Sequence, residues 1–181
     1  MFKEFMIEDV VRMIDGKTEL GGLELVRGIS INSKSTKPGD IFFALKGEHT
    51  DGHLYIAEAL KNGAVGVVVK EGSNGKSEIF VSDTLFALGK FAQGYRNLFP
   101  ARTIGITGTN GKTTVKDLIS AILSKEYRVL SSTKNYNSLI GLPLTLFDLS
   151  EQIDYLVVEM GTSNPGEIKR LCEIANPMIG V

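Results

Sequence analysis

One cysteine, Cys172, stands among 181 residues. A single thiol cannot close an internal disulfide or build a multi-thiolate metal site, and it suits a reducing compartment. In its helical context Cys172 reads as a small apolar residue. Excess charge of one sign is also missing: 20 basic and 21 acidic residues leave a formal net charge of −1. That balance gives no electrostatic reason to expect nucleic acid or an anionic membrane as a partner. Histidine is scarce, with His49 and His53 only, and no third ligand of suitable spacing accompanies them. The spacing therefore argues against a zinc site. The opening residues, Met1-Phe2-Lys3-Glu4-Phe5-Met6-Ile7-Glu8-Asp9, lack an uninterrupted apolar core. They predict neither a signal peptide nor a membrane-inserted segment, and hence a cytoplasmic protein. No internal repeat or low-complexity segment is visible.

What is present is ordinary for a globular chain: 43% hydrophobic and 23% charged residues, with length for one large domain or two small ones. The informative stretch is Thr103-Ile104-Gly105-Ile106-Thr107-Gly108-Thr109-Asn110-Gly111-Lys112-Thr113-Thr114. An apolar run rich in Ile and Thr predicts a buried strand. It breaks into a glycine-containing turn, and after Lys112 the pattern turns helical, with Val115, Leu118, Ile119, Ile122 and Leu123 on one stripe. Strand, glycine loop, Gly-Lys-Thr and helix describe a phosphate-binding loop. Gly108 and Gly111 let the backbone approach an anion, and the N–H groups of Gly108, Thr109, Asn110, Gly111, Lys112, Thr113 and Thr114 can point at it. Lys112 supplies a positive charge for terminal phosphates, and the Thr113 hydroxyl a ligand for Mg²⁺. The strict G-x-x-x-x-G-K-[ST] form would place glycine at 106, where this chain has Ile106.

Elsewhere strands and helices alternate, which predicts an α/β protein with mainly parallel sheets. A short amphipathic helix is expected over 5–14, a turn at Gly21-Gly22 and an irregular strand from Leu23 to Ile31. Strands are expected at 41–45, 65–69 and 79–81, a helix over 54–61, and a polar loop from Gly72 to Lys76. Ser82-Asp83-Thr84 caps a helix through Asn97. Pro100 stops that helix and marks a boundary, giving domains 1–100 and 101–181. Beyond it, strands are expected at 103–107, 128–131 and 154–159 and helices at 112–124, 138–147 (interrupted near Pro143) and 165–175. The last is capped at Asn164 with Pro165 at its first position, and another strand begins near Met178. A nucleotide-binding sheet that stops at its fourth strand is expected to be the first part of its domain.

Asp154-Tyr155-Leu156-Val157-Val158-Glu159 delivers a carboxylate at a strand's C-terminal end. Ligands of open α/β sheets gather at that edge, so Glu159 is expected to face the crevice of the phosphate loop. Mg²⁺ bound to nucleotide phosphates takes a hydroxyl and one or two carboxylates from the protein, which Thr113 and Glu159 can provide. Thr133-Lys134-Asn135-Tyr136-Asn137-Ser138 lies at the same edge. Asn135 and Asn137 can bind phosphate or carboxylate oxygens, or serve as loop and cap residues, and spacing alone does not separate the two. The run Lys46-Gly47-Glu48-His49-Thr50-Asp51-Gly52-His53 follows a strand. From its residues alone, a solvated loop capped by Asp51 is favoured over an anion or sugar site.

With these segments in place the chain resembles the Mur ligase family. Ile106 to Thr114 is similar to that family's own phosphate loop. Glu159-Met160-Gly161-Thr162-Ser163-Asn164-Pro165-Gly166-Glu167-Ile168 resembles a segment that separates one member from those adding earlier peptide residues. Ser33, the run from Lys37 to Gly47, and Asp51-Gly52-His53 resemble the family's UDP-binding domain. The family pattern is departed from at Asn32, Lys34, Ser138, Leu139 and Asn164, which bears on substrate contacts and not on the nucleotide loop.

The resemblance implies a small N-terminal UDP-binding α/β domain, then the first part of a P-loop-type central ATPase domain. It implies an ATP- and Mg²⁺-dependent ligase that joins D-alanyl-D-alanine to a UDP-N-acetylmuramoyl tripeptide through an acyl phosphate, acting as a monomer. Ser33, Lys46, Gly47, Asp51, Gly52, His53, Asn135 and Asn137 would bind substrate, and Lys112 and Glu159 would be catalytic. Family members continue further, through a metal-binding His and a carbamylated Lys, so these 181 residues are expected to bind without turning over. Competing readings are the ligase adding the third peptide residue, a folylpolyglutamate synthetase, a P-loop phosphotransferase or GTPase switch, and a UDP-sugar-binding module without catalysis. The Glu-Met-Gly segment argues against the first two, and the absence of base-recognition motifs and of a strict phosphate loop against the third.

Overall fold

A computed structural model describes every residue except 1, 22, 23, 48, 49, 71–74, 76 and 134. In chain order its elements are β1 (Phe5–Met6), α1 (Ile7–Met13), β2 (Lys17–Thr18), β3 (Leu25–Val26), β4 (Gly28–Ser30), β5 (Asp40–Phe43), α2 (Ile56–Lys61), β6 (Gly66–Lys70) and β7 (Glu78–Val81). There follow α3 (Thr84–Arg96), β8 (Arg102–Ile106), α4 (Lys112–Leu123), β9 (Val129–Ser131), α5 (Gly141–Leu146), β10 (Tyr155–Glu159), α6 (Glu167–Ala175) and β11 (Ile179–Gly180). The chain divides into two compact units, residues 2–91 and 92–181, with the division inside α3.

The first unit holds a sheet in the order β2-β7-β6-β5-β4, parallel except for the antiparallel pair β2 and β7. Its central strands are apolar at successive positions because both faces are covered. Phe42, Ala44, Val67 and Val69 pack with Ala59 of α2 on one face. On the other face Phe43 stacks on Phe91 of α3, their ring centroids 6.2 Å apart.

Three local expectations change here. Phe5 and Met6 are extended and not helical, because they pair with Val26 and Leu25 in a separate antiparallel ribbon. The irregular strand expected up to Ile31 is two short ones, β3 with β1 and β4 with β5. Helix 54–61 begins as a 3-10 turn over Gly52–Tyr55 and becomes α-helical at Ile56. Gly22, Leu23 and most of the polar loop at 72–76 lie outside the described residues.

The second unit is a four-stranded parallel sheet in the order β11-β8-β10-β9. Val157 stands opposite Ile104 and Glu159 opposite Ile106. Ile104, Ile106 and Val157 receive Val115, Ile119 and Leu123 of α4. The buried stripe of α4 is thus narrower than the sequence suggests, since Leu118 and Ile122 are 59% and 66% exposed. Position 116, one turn beyond Lys112, takes the inward place instead.

Helix α5 is not broken by Pro143, which sits in its first turn, where a missing N–H has no intrahelical partner to lose. The Ser138 hydroxyl accepts from Gly141 N–H at 3.2 Å just ahead of it. Helix α6 starts at Glu167, later than expected, with Gly166 at φ +89° before it and no side-chain cap from Asn164. The reason is the Glu167 carboxylate, which accepts the N–H groups of Ser163 (2.7 Å) and Asn164 (3.1 Å) and folds the chain back ahead of the helix.

The buried guanidinium of Arg96 ties this unit together. It donates to the carbonyls of Phe99 (3.0 Å), Ala101 (2.7 Å) and Ala175 (3.1 Å) and to the Thr103 hydroxyl (3.0 Å). Burial lowers its pKa from the usual arginine value, and Ala175 lies at the end of α6, where helix carbonyls lack partners. Arg96→Met strands these acceptors, and urea unfolding is expected to show a loss of about 3 kcal/mol. A change below about 0.5 kcal/mol would remove Arg96 from this role.

Candidate nucleotide and substrate sites

Strand β8 ends at Ile106, which is 1% exposed, and the chain turns at once into Thr107–Gly111. Two glycines make the turn possible: Gly108 has φ +143° and Gly111 φ +80°, conformations that side chains resist. Gly111 then leads directly into α4. Gly108, Thr109, Asn110, Gly111, Thr113 and Thr114 are exposed, and Lys112 is half-buried. The Lys112 ammonium donates to the Gly108 carbonyl at 2.6 Å and so lies back over the loop. Among the described residues, the backbone N–H groups of residues 108–114 have no hydrogen-bond acceptor. Unpaired N–H groups at a helix N-terminus, with an ammonium bonded to the same loop, are suited to cradle an anion.

Glu159 ends the neighbouring parallel strand opposite Ile106, so the carboxylate and the loop stand at one carboxyl edge of the sheet. Glu159 is 4% exposed. Its N–H donates to the Ser132 hydroxyl at 3.2 Å, and the next N–H, of Met160, donates to the Ile106 carbonyl at 2.8 Å. Among the described residues the recorded partner of its side chain is Lys116, whose Nζ lies 3.9 Å from Oε2.

Lys116 was not singled out from the sequence. Its signal was position: it falls on the face of α4 that carries Val115, Ile119 and Leu123. Thr113 stays exposed in the first turn of the same helix. Among the described residues neither the Thr113 hydroxyl nor the Glu159 carboxylate oxygens make a hydrogen bond, and such hard oxygen donors are what Mg²⁺ takes.

The loop between β9 and α5 reaches the same edge. The Asn137 carbonyl accepts from Gly161 N–H at 2.8 Å, two residues past Glu159. A Cβ at Gly161 would sit 3.2 Å from the Asn137 side-chain nitrogen. Asn135 is exposed, with φ +68°, and Lys134 lies outside the described residues.

In the first unit a cavity of about 370 Å³ is lined by Ile31, Asn32, Ser33, Lys34, Phe42, Leu45, Thr50, Gly52 and Tyr55. It brings together Ser33 and Gly52 of the predicted set. The Ser33 hydroxyl donates to Glu58 at 2.5 Å and its carbonyl accepts from Asn62 at 2.8 Å, which fixes the cavity's polar wall. Gly52 must be glycine, since an added Cβ would lie 2.7 Å from the Leu45 backbone nitrogen.

Lys46 and Asp51 pair across a small antiparallel bridge, and Gly47 N–H donates to the Thr50 carbonyl at 2.8 Å. His53 is clamped at both ring nitrogens. Nδ1 lies 2.6 Å from Asp51, and Nε2 accepts from Lys70 N–H at 3.1 Å. Because a backbone N–H can only donate, Nε2 carries no proton and Nδ1–H points at the carboxylate. The backbone and ring donors of His53 hold the Asp51 pKa below the usual carboxylate value. Glu48 and His49 lie outside the described residues.

A parallel sheet with a glycine loop, a lysine and a carboxylate at one edge defines an α/β protein of the P-loop type. Residues 25–96 match the Mur ligase family, catalytic domain, and residues 106–181 the Mur ligase middle domain. The chain is 42% identical over 160 residues to the UDP-N-acetylmuramoyl-tripeptide–D-alanyl-D-alanine ligase of Synechocystis sp., covering 86% of this chain and 35% of that protein. A crystal structure of MurF from Acinetobacter baumannii superposes with a TM-score of 0.93 at 28% identity, over 99% of this chain and 40% of that one. The MurF ligase of Thermotoga maritima, solved with ADP, superposes with a TM-score of 0.78 at 36% identity, over 84% of this chain and 36% of that one. The chain belongs to the Mur ligase family, and it spans well under half the length of these relatives. Among the described residues no helix is long and apolar enough to cross a membrane.

The loop after Gly161 yields a pH prediction. Four donors from Thr162, Ser163 and Asn164 converge on Glu167 and hold its pKa at about 2, below the ordinary 4.5. A depressed acid stabilises the fold above its unfolded pKa and loses that effect as pH falls through its folded one. The Ser163 and Asn164 amides are therefore expected to stay protected from hydrogen exchange down to about pH 3 and to lose protection toward pH 2. Glu167→Gln should lose it already at neutral pH, and equal protection in both proteins would contradict this account.

Proposed function

We propose that this chain supplies the UDP-substrate-binding unit and the triphosphate cradle of a cytoplasmic, monomeric ATP-dependent ligase. The reaction joins D-alanyl-D-alanine to a UDP-N-acetylmuramoyl tripeptide during synthesis of the peptidoglycan precursor. Residues 1–100 hold the UDP-linked substrate, and 101–181 begin the ATP-binding domain. The observation that carries this reading is the edge shared by the free N–H groups of residues 108–114, the Lys112 ammonium and the Glu159 carboxylate. The names of the matched relatives support the choice of substrates.

A carboxylate is a poor acylating agent, so the tripeptide carboxylate first takes the γ-phosphoryl group to give an acyl phosphate and ADP. The dipeptide amine then displaces phosphate through a tetrahedral intermediate. Charge gathers on phosphoryl oxygens in the first step, where Lys112 and the loop N–H groups stabilise it. Thr113 and Glu159 would hold Mg²⁺, which neutralises charge between phosphates when bound. Asn135 and Asn137, at the same edge, orient the substrate carboxylate. Ser33 and Gly52 line a cavity of about 370 Å³, of suitable size for the UDP moiety, and Lys46, Gly47, Asp51 and His53, in the segment that holds Gly52, complete its binding.

Calorimetry on the chain tests the division of labour. Lys112→Ala should weaken MgATP binding about tenfold or more and leave UDP binding unchanged. Unchanged MgATP affinity in that variant would refute the cradle, and loss of UDP binding along with it would refute two separate sites.

A further inference from the structure

Lys116 has no role in the phosphate loop itself, yet its side chain is buried at 4% exposure. Its ammonium donates to the Ser132 carbonyl at 2.8 Å, lies 3.3 Å from the exposed Asp117 carboxylate, and stands 3.9 Å from Oε2 of Glu159. The last distance is too long for a hydrogen bond but short enough for strong Coulomb attraction where water is excluded. Glu159 therefore has a counter-charge that, among the described residues, leaves its oxygen lone pairs unoccupied. Ser132 locks both ends of the arrangement, since its carbonyl takes the ammonium and its hydroxyl takes the Glu159 N–H. Burying an ammonium is costly, and an aliphatic side chain of similar volume at such a place is often neutral or stabilising. The charge at 116 thus calls for a purpose beyond packing.

We propose that Lys116 is a positioning residue that makes the cation site at Glu159 conditional on nucleotide. This rests on the reading of residues 108–114 as a triphosphate cradle. With no nucleotide, the Glu159 carboxylate faces a divalent cation, and the nearby ammonium, shared with the exposed Asp117 carboxylate, offsets part of its attraction. With nucleotide bound, the phosphates bring excess negative charge, and the same ammonium attracts the metal–phosphate complex. The two effects have opposite sign, which a purely structural lysine would not produce.

The test uses the whole chain with Lys116→Met and with Lys116→Gln, the second keeping a donor for the Ser132 carbonyl if the first fails to fold. Mn²⁺ binding without nucleotide is read by electron paramagnetic resonance, and MgADP binding by calorimetry. Removing the charge should tighten Mn²⁺ alone about tenfold and weaken MgADP about tenfold. Weakening of both, or movement of neither, would overturn the role of Lys116 and leave the cradle standing. Absence of MgADP binding in the unsubstituted chain would overturn the cradle and this inference together.

Discussion

The structure turns on the register of two parallel strands. Because β8 and β10 pair so that Ile106 stands level with Glu159, both strands release their chains at one height. One chain leaves as a glycine turn that bares its N–H groups, and the other ends on a carboxylate. A slip of one residue would send Glu159 to the opposite face of the sheet. The register is held by the apolar packing beneath it, where Ile104, Ile106 and Val157 meet Val115, Ile119 and Leu123. Placement of charge at the edge thus follows from burial of hydrocarbon a few residues away.

Each unit solves the same problem with different chemistry at its strand ends. In the second unit the edge is built from donors and a carboxylate that, among the described residues, have no hydrogen-bond partners. In the first, polar groups are engaged with one another: the Ser33 hydroxyl with Glu58, the His53 ring with Asp51 and the Lys70 N–H, and the Lys46 backbone with that of Asp51. The first arrangement suits an anion brought with its own metal. The second gives a rigid wall around a small cavity, which suits a ligand selected by shape.

Much of this was legible in the residues because it is local. Strand β8 and helix α4 fall within a residue of expectation, since the apolar run, the glycines and the 3.6-residue stripe lie within about twenty positions. Glu159 was legible as a strand-end carboxylate. What was not legible depends on partners far along the chain. Phe5-Met6 reads as the start of a helix until Leu25–Val26 pairs with it, and Lys17–Thr18 becomes a strand only beside β7. The inward position of Lys116 emerges only from the packing that leaves Leu118 and Ile122 outside. Asn164 looked like a helix cap, whereas Gly166 precedes α6 and the Glu167 carboxylate reaches back to the N–H groups of Ser163 and Asn164 ahead of the helix.

The contacts of Arg96 also bear on how the second unit opens. One guanidinium is shared by the end of α3, the approach to β8 and the last carbonyl of α6. Peeling α6 away alone would strip one of its acceptors while its charge remained buried among the others. Partial fraying is therefore penalised at three separate segments at once, and these segments behave as a single cooperative block.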